Sequence, residues 1–154
     1  MATLTVSAEL AASPDSLWRL LLRFDRYHEW LAVHDSFPEP PETPPRTGDA
    51  FVQCVTVLGM TGELHWTFEE VLPARLAVLE TPLTARARLR AAFRLEPLGT
   101  GSLMTCRYEV FGGRAGSVLV RVAGVEARSQ TRAAMAALDL LAAGGRPEGL
   151  VETG

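Results

Sequence analysis

Few side chains in this sequence combine chemical capability with a position that would place them inside. Tyr108 falls in the alternating segment 103–111, where Met104, Cys106, Tyr108 and Val110 share one face and Arg107 and Glu109 the other. Its phenol is therefore expected to point inward. Glu126 and Gln130 lie one turn apart in a long helical run, on a stripe with Ala123, Ala127, Ala134 and Ala137. Arg121, Arg128, Arg132 and Asp139 fall on the opposite stripe, which should be the wet one. If the alanine stripe faces the interior, Glu126 is a candidate general acid or base, with Tyr108 as a second proton carrier. A helix turned by half a revolution would leave Glu126 in water.

The other candidates suit binding. Gln53 shares a face with Phe51, Val55 and Val57, and a buried amide without a partner costs about 1–3 kcal/mol, so bound ligand or water should satisfy it. Trp66, flanked on the same face by Leu64 and Phe68, can stack on an aromatic ligand or simply fill the core. Trp30 and His34 lie where two short helices should meet the sheet, at the expected mouth of an enclosed space. With Met104 these residues complete the candidate ligand-binding set.

Several chemistries are not supported. His28, His34 and His65 are scattered, and Cys54 and Cys106 sit on separate expected strands, so neither a metal site nor a disulfide is expected. There is no Ser/His/Asp set and no nucleotide fingerprint; Gly112-Gly113 is not followed by Lys-Ser/Thr, as a phosphate loop requires. No cofactor is expected. A net charge of −3 gives no footprint for nucleic acid, and the row Arg86, Arg88, Arg90 and Arg94 reads as a solvated strand face. All 15 basic residues are Arg, and Lys, Asn and Ile do not occur, which points to GC-rich coding. The first ten residues lack a basic segment followed by an apolar one, and no apolar run reaches membrane-spanning length. A cytoplasmic location without a membrane span is expected.

The elements that must position these groups can be traced along the chain. Residues 3–10 form a first strand; Ser13-Pro14-Asp15 caps an apolar helix over 17–22, and Asp25 opens a second short helix through Leu31. Five prolines make 37–46 a stiff surface connection. Strands follow at 51–58 and 63–71 around a turn at 59–62, then at 76–80, 85–95 and 103–111, the last two separated by Gly99–Gly101. Ala115 to about Ala143 is one helix roughly 40 Å long. The expected class is α+β: a curved antiparallel sheet of about seven strands around a long C-terminal helix, with two short helices after strand one. Residues 1–145 form a single domain and 146–154 a flexible tail. Small side chains where the helix faces the sheet leave space rather than fill it, which predicts a ligand cavity.

This layout, together with ELAASPDSLWRLLLRFDRYHEWL at 9–31, GMTGELHWTF at 59–68 and the glycine-rich approach to the last helix, resembles the START-like (SRPBCC) superfamily with the helix-grip fold. That superfamily includes polyketide aromatase/cyclases, birch-pollen-allergen-like proteins and lipid-transfer domains. HEWLAVHDSF and LHWTF are most similar to a small actinobacterial cyclase/dehydrase-like branch. The resemblance implies a hydrophobic, aromatic or polyketide-like ligand held between sheet and helix. Alternatives are an aromatase/cyclase or dehydratase, or a toxin- or self-resistance-type protein with a protein partner, as monomer or homodimer. The aromatase/cyclases carry an Arg in the pocket near the Trp-containing strand; here Glu63 to Thr67 contains none.

Overall fold

A computed structural model describes residues 2–144, with side chains over 2–112 and 124–144. The expected tail at 146–154 and the side chains of Arg121 and Ala123 lie outside the described residues. Strand β1 (Ala2–Leu10) leads into helix α1 (Pro14–Leu21) and a 3-10 helix at Phe24–Glu29. Six strands follow: β2 (His34–Glu39), β3 (Ala50–Val57), β4 (Met60–Leu72), β5 (Leu76–Pro82), β6 (Arg88–Leu98) and β7 (Gly101–Phe111). Helix α2 (Gly113–Ala142) is the last of the described elements. All seven strands form one antiparallel sheet in the order β1-β7-β6-β5-β4-β3-β2, and α2 packs along its β1–β7 side.

Local chemistry accounts for most of these boundaries. Ser13 caps α1 by accepting the Ser16 N–H at 3.2 Å, and Pro14 occupies the first turn, where its missing N–H costs nothing. The apolar side of α1 buries Leu17 and Leu20. Gly112 joins β7 to α2 at φ +83°, and a Cβ there would lie 1.9 Å from the Arg86 carbonyl oxygen, so only glycine fits.

Three stretches depart from the sequence expectation. The β3–β4 turn is Leu58-Gly59, not 59–62: both residues have positive φ (51° and 77°), the two-residue hairpin geometry whose twist matches the strands. Pairing therefore starts at Val57 with Met60 and continues through Gln53 with Leu64 and Phe51 with Trp66. Residues 34–39, partly assigned to the proline-rich connection, form β2. Its irregular pairing to β3 contains Pro38, tolerated because β2 is the sheet edge. The arginine row is more than a solvated face. Arg88 and Arg90 both pair with Glu80 on β5, and the Arg90 guanidinium lies 5.2 Å from the Phe111 ring centroid.

Helix α2 also differs in rotation. Its buried line is Thr131, Ala134, Met135, Leu138 and Leu141, with Leu138 fully enclosed. Glu126 lies about 120° around the helix from that line and is exposed. Asp139, expected in water, turns toward β1–α1 and accepts the Ala11 and Ala12 N–H groups at 2.9 Å each. Met135 and Leu138 join Val6, Leu17, Leu95 and Met104 in a solid core beneath the C-terminal half of the helix.

Candidate ligand-binding cavity

Farther toward the start of α2 the sheet and helix separate, and a cavity of about 480 Å³ opens between them. Its size falls within the range of small-molecule sites. Apolar side chains make most of the wall, with rings from Trp18, Trp30, Phe51, Trp66, Phe68 and Phe93. Met104, Met135 and Leu138 border it where it meets the solid core. The segment 31–33, the end of β3 and Leu83 line it at the opposite end.

The structure brings together eight of the nine candidate residues. Trp30, Gln53, Trp66, Phe68, Met104, Tyr108, Glu126 and Gln130 all line the cavity, whereas His34 stands behind the wall. Glu126 is exposed rather than enclosed, and accepts a 2.9 Å hydrogen bond from the Gln130 amide one turn on. Its place is the rim. Trp18 and Thr131 also line the cavity but are missing from the candidate set. The alanine stripe points to position 130 and so passes over Thr131; the spacing of Thr131 to Ala134, Met135 and Leu138 carries the signal that finds it.

Gln53 needs neither ligand nor water to satisfy its amide. The Trp66 indole N–H donates to Gln53 Oε1 at 3.0 Å, and Gln53 Nε2 lies 3.0 Å from His34 Nδ1. An indole can only donate, so the amide oxygen must face it and the NH₂ must face the imidazole. His34 Nδ1 is then the acceptor and its ring proton resides on Nε2. Burial lowers the His34 pKa, against the opposing pull of Asp35. The same ring packs 4.3 Å from Phe37 and 5.8 Å from Tyr27, centroid to centroid.

Tyr108 supplies a further polar group in the wall. Its hydroxyl accepts from Thr131 Oγ1 at 3.3 Å, and burial pushes its pKa above the ordinary phenol range. It is a neutral phenol, not a phenolate base. Beside it Cys106 has its thiol pushed up to about 12 by burial, so it is protonated and unreactive. The Trp30 indole nitrogen is buried without a hydrogen-bond partner, its ring tilted at 56° to that of Tyr27 with the centroids 4.6 Å apart. Among the described residues no group of three His, Cys, Asp or Glu side chains could hold a metal ion. Nor is any helix among them long and apolar enough to cross a membrane.

Solved structures share this architecture. A protein from Thermus thermophilus, TTHA0849, superposes with a TM-score of 0.74 at 11% identity, over 93% of this chain and 98% of its own. MLL2253 from Mesorhizobium loti gives 0.67 at 22% identity, over 91% and 96%. The di-domain ARO/CYC StfQ from the steffimycin biosynthetic pathway gives 0.69 at 15% identity, over 92% of this chain and 51% of that one. At such identities the likeness establishes the fold alone. No curated protein matches the sequence. Residues 1–143, however, match the family described as polyketide cyclase / dehydrase and lipid transport. With its seven strands gripping one long helix around an apolar cavity, the chain belongs to that family.

Proposed function

We propose that the protein binds a flat, aromatic or polyketide-like small molecule in the cavity between the sheet and α2. The observation that carries this reading is the wall itself: eight Trp and Phe rings, Phe24 and Phe37 among them, around about 480 Å³, with Gln53, Thr131 and Tyr108 as neutral polar groups. Rigid rings favour stacking on a planar ligand, and the Tyr108 hydroxyl can donate to a carbonyl. Secondary metabolism is the setting we infer, from the resemblance of HEWLAVHDSF at 28–37 and LHWTF at 64–68 to the actinobacterial cyclase-like branch. A ketosynthase gene adjoining this one would support it.

Thermal-shift measurements with aromatic polyketides and fatty acids test the proposal. An aromatic ligand at 100 times its Kd should stabilise the fold by about 2.7 kcal/mol. Trp66→Ala should weaken that binding, and stabilisation by fatty acids alone would overturn the aromatic assignment. A second reading, a cyclase or dehydratase, is favoured by the hydrogen-bonded Tyr108–Thr131 pair inside the cavity. There Tyr108 would donate a proton to a ligand oxygen while Glu126 at the rim served as base. Conversion of a bound poly-β-ketone, lost in Tyr108→Phe with binding retained, distinguishes it from simple binding.

A further inference from the structure

Alternation of strand direction collects the Leu58-Gly59 turn, the loop between β5 and β6, Gly112 and the 31–33 segment at one end of the sheet. The same end carries an apolar projection. Leu58, in the turn, and Val57 and Met60, which flank it, are 59%, 40% and 77% exposed. Val57 and Leu58 also line the cavity, as do Leu31, Ala32 and Val33, so the projection is continuous with the cavity wall.

Leu58 is out of place on local grounds. Its φ of 51° is a conformation in which Asn, Asp or Gly is favoured, and its side chain faces solvent, where Asp would be better hydrated. Backbone and solvation both disfavour a leucine there, and its place on the cavity edge does not account for Met60, which lies outside the lining and is 77% exposed; an apolar partner accounts for both. Three side chains at a convex tip cannot cover the ~800 Å² per partner of a standard protein interface. They do suffice as a wedge into a fluid apolar phase. The tip itself, 47 through 74, carries no basic residue apart from His65; Arg86 and Arg88 stand at the same end, in the β5–β6 loop and at the start of β6, Arg88 paired with Glu80, so headgroup charge is not what drives the tip.

We propose that the β3–β4 tip inserts Val57, Leu58 and Met60 into the surface of an electrically neutral lipid bilayer, seating the cavity on the membrane so that an apolar ligand passes without crossing water. The insertion stands on the tip alone; the passage of ligand rests on the cavity reading above.

Flotation with phosphatidylcholine vesicles tests the insertion. The wild-type chain should float with the vesicles and continue to do so at molar salt, where charge attraction is screened. Met60→Asp should weaken vesicle binding at least about tenfold. Because Met60 lies outside the cavity lining, that variant should bind 1-aminoanthracene in vesicle-free buffer as wild type does. Leu58→Asp creates an Asp-Gly pair suited to this turn and should lose flotation without a fall in Tm. A wild type that stays off the vesicles, or an Asp variant that floats equally well, overturns the proposal. So does a wild-type dimer in solution that Met60→Asp converts to monomer, since the tip would then face a second copy. Failure of 1-aminoanthracene to bind any form, with flotation intact, would instead sink the cavity reading and leave the insertion standing.

Discussion

A single donor-only group sets the polarity of the hydrogen-bond relay in the wall. Because the Trp66 indole must donate, Gln53 is oriented and His34 must present a bare Nδ1. Protonating His34 would place an N–H against the Gln53 NH₂, which agrees in direction with the lowering of its pKa by burial. A group whose folded pKa is depressed favours the folded state fully above its unfolded value, about 6.5. That contribution is lost as pH falls through the folded value. The Tm of wild type should therefore drop more steeply below about pH 6.5 than that of His34→Phe, which retains a ring without a titrating group. Parallel Tm curves for the two proteins would show that the relay is insensitive to His34 charge.

The elements obey simple periodicities except where tertiary contacts override them. β6 and β7 could be read directly, because alternation put Ala91 and Leu95, and Met104, Cys106 and Val110, on the buried face. The hairpin face carrying Phe51, Gln53, Trp66 and Phe68 was equally clear. β2 was hidden by Pro38, since proline argues against a strand unless the strand is known to lie at an edge, and position in a sheet is not a local property. The rotation of α2 was hidden too. Alanines at 123, 127, 134 and 137 do not distinguish a vacant face from a lightly packed flank, and Met135 and Leu138 decide the matter only once their partners on β1 and α1 are known. Asp139 is the clearest case: its carboxylate looks solvated in sequence, yet it holds two backbone N–H groups of the β1–α1 junction. Asp139→Ala should cost about 1 kcal/mol, chiefly by leaving the part-buried Ala12 N–H without its acceptor. For a chain of this size that is a few degrees of Tm, measurable by calorimetry. An unchanged Tm would mean that water replaces the carboxylate freely.

One long helix serves two purposes, and the molecule is divided accordingly. Toward its C-terminus α2 closes a solid core around Leu138, Met135 and Leu17; toward its start it spans an apolar hollow that α1, β3, β4 and β7 also border. A void forfeits dispersion contacts along its whole lining, so the hollow half lowers stability and the solid half must carry the fold. Removing volume from the solid end and adding it to the hollow end should therefore shift stability in opposite directions. Leu138→Ala, which opens a cavity in the fully enclosed core, should destabilise the protein by about 2–5 kcal/mol. Ala127→Leu, at a half-buried position lining the hollow, adds methylene groups where there is room for them. It should leave Tm unchanged or raise it, with about 0.8 kcal/mol available per CH₂ buried, while taking volume from the ligand. Denaturant unfolding and 1-aminoanthracene titration on the two variants separate stability from occupancy. Higher stability with weaker probe binding in Ala127→Leu would identify the hollow as functional space kept open at the expense of stability. Destabilisation by Ala127→Leu would show that this part of the helix is already packed, and the cavity would lose its standing as the site.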